Sequence, residues 1–292
     1  PPGIGIKELT SSNDTEIVQE TSYTTSFASV ENIRSMDKDG VSPHLEKVDD
    51  KTLRLFYSSI EVKGIAVSLC DYELKCEIQG ALERMSDLTI IETLDGVRRG
   101  YYVALNPQTK QKDIFTAVFS EDGLSYSNET PLGFPVDQNE IAWGVPDAVL
   151  MPDGLVRVYW VYTEDKTSDE KLVSATSKTT KGVEFVMDPG YRLENGYVDF
   201  EVIRAVEGDW KALMSYTPHY MPEIPQSLFY ATSKDGLNWD LIEERITPKG
   251  YSYFDPTAIQ IDDKNFLVVG SAAPNTLGAR EHILFAAELV LP

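Results

Sequence analysis

The chain writes one pattern five times, and that repetition restricts its fold more than any single motif. The segments "VSPHLEKVDDKTLRLFYSS", "SDLTIIETLDGVRRGYYVAL", "PDAVLMPDGLVRVYWVYT", "VDFEVIRAVEGDWKALMSYT" and "FDPTAIQIDDKNFLVVGSA" share a layout. Each opens on a small polar residue, runs through a short apolar strand, turns at acidic residues or Gly, and returns in a strand rich in Val, Leu and Tyr. Ser42, Asp87, Asp147, Asp199 and Asp255 take the same place in the five copies. A third strand follows in each, "GIAVSL", "IFTAVFS", "KLVSATS", "SLFYATS" and "HILFAAEL", and after four of them come a turn and a more polar fourth strand.

Short strands rich in β-branched and aromatic residues, four to a unit and punctuated by turn signals, read as propeller blades. Helical periodicity is nearly absent. The prediction is an all-β, five-bladed β-propeller with four antiparallel strands per blade, residues 1–292 forming one domain. The fifth unit runs out after three strands, just before Pro292. A strand from the N-terminal segment, near "QETSYTTSF", is expected to complete that blade and remove an open sheet edge.

One turn is written twice, as "SEDGLSY" with Asp122-Gly123 and as "SKDGLNW" with Asp235-Gly236. Asp-Gly supplies the positive-φ residues of a tight hairpin between the third and fourth strands. Tyr126 and Trp239, which follow, are expected to pack between neighbouring blades. The turn resembles a shortened Asp-box of the sialidases and other propellers, which implies a place on the face opposite an active site.

Propeller topology then sorts the loops. The innermost strand of each blade starts on the face that also carries the loop between strands two and three. Ser42, Asp87, Asp147, Asp199 and Asp255 are therefore expected to ring one mouth of the central channel. Strand alternation sets His44, Thr89, Val149, Glu201 and Thr257 one layer deeper. Crowded acids raise at least one carboxyl pKa, which suits general acid/base chemistry or a channel cation such as calcium. The competing reading is that each Asp accepts backbone N–H groups where its blade begins. No other cofactor is implied. Further residues expected at the mouth are His219, Tyr220 and Glu223 from "TPHYMPEIPQ", Arg280 from "APNTLGARE", and the aromatics Trp143, Tyr197, Tyr251 and Tyr253. Aromatics beside carboxylates suit sugar rings, although any one of them also serves as packing between blades.

Composition narrows the partners. The formal charge is −21, so the surface repels nucleic acid and anionic membranes and neither is expected as a partner. No apolar run approaches the ~20 residues that span a bilayer. The Ser/Thr-rich opening suits a segment that follows a removed signal, so a secreted or periplasmic location is expected. Cys70 and Cys76 are spaced too widely for a redox CxxC pair; they bridge a small hairpin in an oxidising compartment or stay free thiols.

The phrases "GVPDAVLMPDGLVRVYWVY", "FDPTAIQI" and "TSKDGLNWD" resemble the five-bladed propeller glycoside hydrolases, the arabinanase, β-xylosidase and invertase group. The likeness covers nearly the whole chain as a style of repeat. It implies hydrolysis of a small glycoside or an oligosaccharide by inner-strand acids, one Asp acting as base, one Asp tuning pKa, and a Glu as acid. Asp147 and Asp255 stand in the corresponding "PDA" and "DP" contexts, Asp199 shares their repeat position, and Glu201 is the expected acid. Asp87, His44, Trp143, His219, Tyr220, Tyr253 and Arg280 are the expected substrate contacts. Blade one departs from the group, with "VSPHL" where the base Asp is usual, and both the Glu-Gly-Pro and the Asn-Asp-Pro-Asn motifs are missing. The alternative expectation is a carbohydrate-binding or scaffolding propeller without catalysis.

Overall fold

The computed structural model describes residues 28–136, 144–163, 170–194, 197–216, 226–242, 244–274 and 282–292. These residues form strands and turns, with no helix among them. The chain enters as β1 (Ser29–Asp39) and then builds blade one from β2 (Val41–Lys47), β3 (Leu53–Ser59), β4 (Gly64–Cys70) and β5 (Cys76–Leu82). Blade two is β6 (Ser86–Glu92), β7 (Arg98–Leu105), β8 (Lys112–Phe119) and β9 (Tyr126–Pro135). Blade three is β10 (Asp147–Leu150), β11 (Val156–Tyr162), β12 (Lys171–Ser177) and β13 (Phe185–Met187). Blade four is β14 (Tyr197–Val206), β15 (Asp209–Tyr216), β16 (Ser227–Ser233) and β17 (Trp239–Ile242). Blade five contains β18 (Tyr251–Gln260), β19 (Asn265–Pro274) and β20 (Ile283–Val290), and β1 is its outer strand. All pairings are antiparallel, and the inner strands β2, β6, β10, β14 and β18 contact one another in that order around the ring. The protein is a five-bladed β-propeller.

Ring closure uses β1, whose Ser29 pairs with Val290 and whose Asp39 pairs with Ile283. The stretch "QETSYTTSF" lies outside the described residues, and the closing strand follows it. β1 escaped the sequence pattern because bulges interrupt it twice, with Asn32 and Asp37 at φ of 52° and 53°. Each bulge breaks the period-two alternation that marks a strand.

The core lies between blades rather than inside one. Leu45 and Leu55 of blade one meet Val269 and Ala286 of blade five, and Phe56 and Val67 meet Leu88 and Tyr102 of blade two. Tyr101 and Val103 meet Val158 and Trp160, Tyr159 meets Phe200 and Trp210, and Leu213 meets Val268 and Phe285. Each such fully buried side chain stabilises by about 1.5–3 kcal/mol, so the ring is held by five apolar seams.

The turns between third and fourth strands stitch those seams on one face. Gly123 of blade two lies over Phe56 of blade one, where an added Cβ would come within 2.8 Å of the ring. The Tyr101 hydroxyl donates to the Gly182 carbonyl at 2.8 Å, and Tyr159 does the same to Gly236 at 2.8 Å. Within the last turn, Asp235 Oδ1 accepts the Leu237 and Asn238 N–H groups at 2.8 and 2.9 Å. Trp239 packs edge-on against Tyr159 of the preceding blade, as the sequence suggested. Tyr126 packs, partly buried, against the seam between blades one and two, stacking on Phe119 and meeting Tyr102 while its hydroxyl donates to the Glu83 carbonyl at 3.4 Å. Cys70 and Cys76 form a disulfide that pins the β4–β5 hairpin.

Candidate functional site

The inner strands share an irregularity where they begin. Pairing of β2, β6, β14 and β18 to their neighbours shifts between Val41 and His44, Ser86 and Thr89, Tyr197 and Asp199, and Phe254 and Thr257. Ser42, Asp87 and Asp255 stand in these bulges at φ of 50°, 52° and 47°, a left-handed conformation that costs a non-glycine residue about 1 kcal/mol or more. The bulges turn the side chains at these positions toward the channel mouth.

A cavity of about 540 Å³ opens there, lined by Asp87, Glu170, Asp199, Gln226, Asp255 and His282 among others. Below it the channel narrows to a neck lined by His44, Thr89 and Glu201, with Asp87, Asp199 and Asp255 at its rim. Asp147 lines neither space. It is buried at 4% exposure, and its Oδ2 accepts the Val202 N–H at 2.8 Å.

The acids do lock one blade to the next. Asp199 Oδ2 accepts the Asp255 N–H at 2.9 Å, and Asp255 Oδ2 accepts the Ser42 N–H at 3.1 Å and the Ser271 hydroxyl at 2.7 Å. In the neck, Thr257 Oγ1 accepts the Leu45 N–H at 3.2 Å and donates to Glu201 Oε1 at 3.1 Å, and His44 Nε2 accepts the Ile90 N–H at 3.1 Å. That bond fixes the His44 proton on Nδ1, and burial pushes its pKa down, so the ring is neutral. Two features exceed this structural service. Asp87 accepts from two hydroxyls, Ser42 at 2.6 Å and Ser86 at 2.9 Å. Asp199, 1% exposed, has an Oδ1 with no hydrogen-bond partner among the described residues.

Burial dominates the electrostatics of these acids. Burial, then the Asp255 charge, holds the Asp199 carboxyl well above the usual range. Burial, then Asp147, does the same to Glu201, while burial lifts Asp147 to about 7. Asp87 is pushed up to about 6, again chiefly by burial. Burial thus biases the carboxyls of the mouth toward their protonated forms.

No family model matches the chain, and no curated protein does. Solved structures do. An endo-1,4-beta-xylanase from Bacteroides thetaiotaomicron superposes with a TM-score of 0.62 at 12% identity, over 87% of this chain and 92% of that one. An endo-arabinase from the same organism gives 0.61 at 13% identity, over 89% and 96%. A family 117 glycoside hydrolase of the marine bacterium Zobellia galactanivorans gives 0.58 at 12%, over 90% and 85%. The fold is that of the glycoside-hydrolase propellers.

Several expected site residues sit elsewhere in this five-bladed propeller. Tyr253 is not at the mouth: it is 2% exposed, in the seam between blades four and five, edge-on to Phe285. The bulge between Phe254 and Thr257 breaks the alternation that would put it on the side of Asp255, and it enters the seam. Tyr251 packs partly buried against the same seam. Trp143, His219, Tyr220, Glu223 and Arg280 lie outside the described residues. Among the described residues no group of three or more His, Cys, Asp and Glu is arranged to hold a metal ion.

Among the wall residues that sequence reasoning missed are three polar ones that share a place in the repeat. Glu170, Gln226 and His282 each stand immediately before the third strand of their blades. The signal was present, because that position follows the mouth-side loop in every repeat. A larger cavity, about 740 Å³, opens on the opposite face, where Glu46 is bound by Arg98 at 2.6 and 2.8 Å and by Arg54. Glu46 and the two arginines pair with one another across blades one and two.

Proposed function

We propose that the mouth cavity hydrolyses a glycosidic bond, with Asp199 as proton donor. The observation that carries this is the asymmetry of one carboxyl. Oδ2 of Asp199 is held by the Asp255 N–H, while its buried Oδ1 has no hydrogen-bond partner among the described residues, the residue lines the cavity, and the group as a whole favours the protonated form. A buried acid with its proton on a free oxygen is arranged to give that proton to a ligand oxygen. Asp255 on one side and Glu170 in the wall supply the negative field that stabilises a cationic sugar at the transition state. Glu201 and Asp147 lie beneath as a second pair of carboxyls and act through the field. The xylanase and arabinase neighbours agree with a carbohydrate substrate.

A second reading is favoured by the interblade bonds of Asp147, Asp199 and Asp255, which give each acid a structural use. In that reading the propeller binds a carbohydrate without cleaving it. A screen of aryl glycosides and plant or algal oligosaccharides separates the two. The hydrolase reading expects turnover by the native protein and its loss in Asp199→Asn, whose amide oxygen still accepts the Asp255 N–H. Binding without turnover on every substrate supports the second reading.

A further inference from the structure

We infer that Asp87 is the carboxylate that receives the proton of the attacking water, positioned by Ser42. The inference rests on the hydrolase reading above and extends it to the group opposite the acid. Asp87 belongs to the cavity wall and to the rim of the neck, so it faces the space that Asp199 faces. Asp147, Asp199 and Asp255 each accept a backbone N–H from the next blade, whereas the hydrogen-bond partners of Asp87 among the described residues are two serine hydroxyls. A hydroxyl can rotate and lend its donor elsewhere; a strand N–H cannot. Asp87 is thus the ring acid least committed to holding the blades.

Ser42 explains how the position works. It takes the blade-one place that Asp occupies in the other four blades, in a left-handed bulge that turns it toward the channel. Its hydroxyl donates to Asp87 at 2.6 Å while its N–H donates to Asp255 at 3.1 Å. The serine therefore fixes one carboxyl relative to the other and stabilises the charged form of Asp87.

The step balances as a direct displacement. The water oxygen bonds to the anomeric carbon and the glycosidic C–O bond breaks. The departing oxygen takes the proton from Asp199, and Asp87 takes the proton that the water sheds. Exchange with solvent returns both groups to their starting states.

The test uses the native protein with a substrate from the screen. Asp87→Asn keeps the acceptor for Ser42 and should lower kcat about a hundredfold to ten-thousandfold with an unchanged melting temperature. In Asp87→Ala, azide should restore turnover of an activated aryl glycoside and give a glycosyl azide of inverted configuration. Ser42→Ala should move the acidic limb of kcat/KM to higher pH, because a carboxylate that loses a donor is harder to ionise. The other charged groups around Asp87 stay in place: Asp255 and Lys112 beside it, and Asp199, Glu170, His282 and His44 across the cavity and neck. Should Asp87→Asn turn over within threefold of the native rate, the base is elsewhere and the inference fails while the hydrolase reading stands. An unmoved acidic limb in Ser42→Ala removes the positioning role. A native protein that cleaves nothing in the panel overturns the hydrolase reading first, and Asp87 as base with it.

Discussion

Asp199 and Glu201 are two residues apart and differ in what their carboxyls reach. Asp199 borders the open cavity; Glu201 is confined to the neck and tied to Thr257. Glu201→Gln is therefore expected to cost less than tenfold in kcat, and steady-state rates beside Asp199→Asn check it. An equal loss in the two variants would put the proton donor in the neck. The acids themselves were legible in the sequence, because each repeat begins with one and strand alternation states which side it takes. Which oxygen is paired was not legible. That depends on bulges at Ser42, Asp87 and Asp255, and a period-two pattern carries no information about them. Tyr253 was misplaced for the same reason, since the bulge after Phe254 changes what lies opposite.

At the scale of a turn, glycine is needed where space and φ both demand it. Gly236 sits at φ 68°, and an added Cβ would lie 2.8 Å from Trp210 and from the Tyr159 hydroxyl oxygen. Gly208 sits at φ 72° with nothing within 4 Å. Gly236→Ala should destabilise by about 2–4 kcal/mol, the left-handed strain plus overpacking, and Gly208→Ala by about 1–2 kcal/mol, the strain alone. Chemical denaturation of both variants checks the difference; equal costs would show that the seam yields to the methyl group. Asp235→Ala, in the same turn as Gly236, should cost about 1 kcal/mol through lost local bonds and leave glycoside turnover unchanged, because the turn is on the far face. The Asp-Gly pairs made these turns readable, whereas β1 offered only Val30, Ile33 and Met36 between polar residues.

For the whole propeller, the ring of buried acids reverses the usual dependence of stability on pH. Asp87, Asp147, Asp199 and Glu201 have folded pKa values raised above unfolded ones near 4. Groups of that kind bind more protons folded than unfolded, so their stabilisation is complete below pH ~4 and is lost as pH rises toward about 6 and 7. Asp235, lowered to about 2, acts in the other sense but only in more acidic solution. His44, lowered by burial, opposes the trend near the upper end of the window. Melting temperature should therefore fall between pH 5 and 7.5 (a range set on either side of those values), and less steeply in Glu201→Gln, which removes one titrating group; a native protein that becomes more stable over this range contradicts the reading. The architecture was legible because five copies of one pattern leave few closed arrangements, while the mouth was legible mainly in its acids, since which neighbouring strand residues line it depends on the bulges. The measurement closest to the central claim compares native protein and Asp199→Asn on one sugar carrying either a dinitrophenyl or an alkyl leaving group. If Asp199 donates the proton, the variant keeps most of its rate on the dinitrophenyl glycoside, whose leaving group needs no acid, and loses the alkyl glycoside. A variant that cleaves both as the native protein does, or loses both equally with its fold intact, contradicts it.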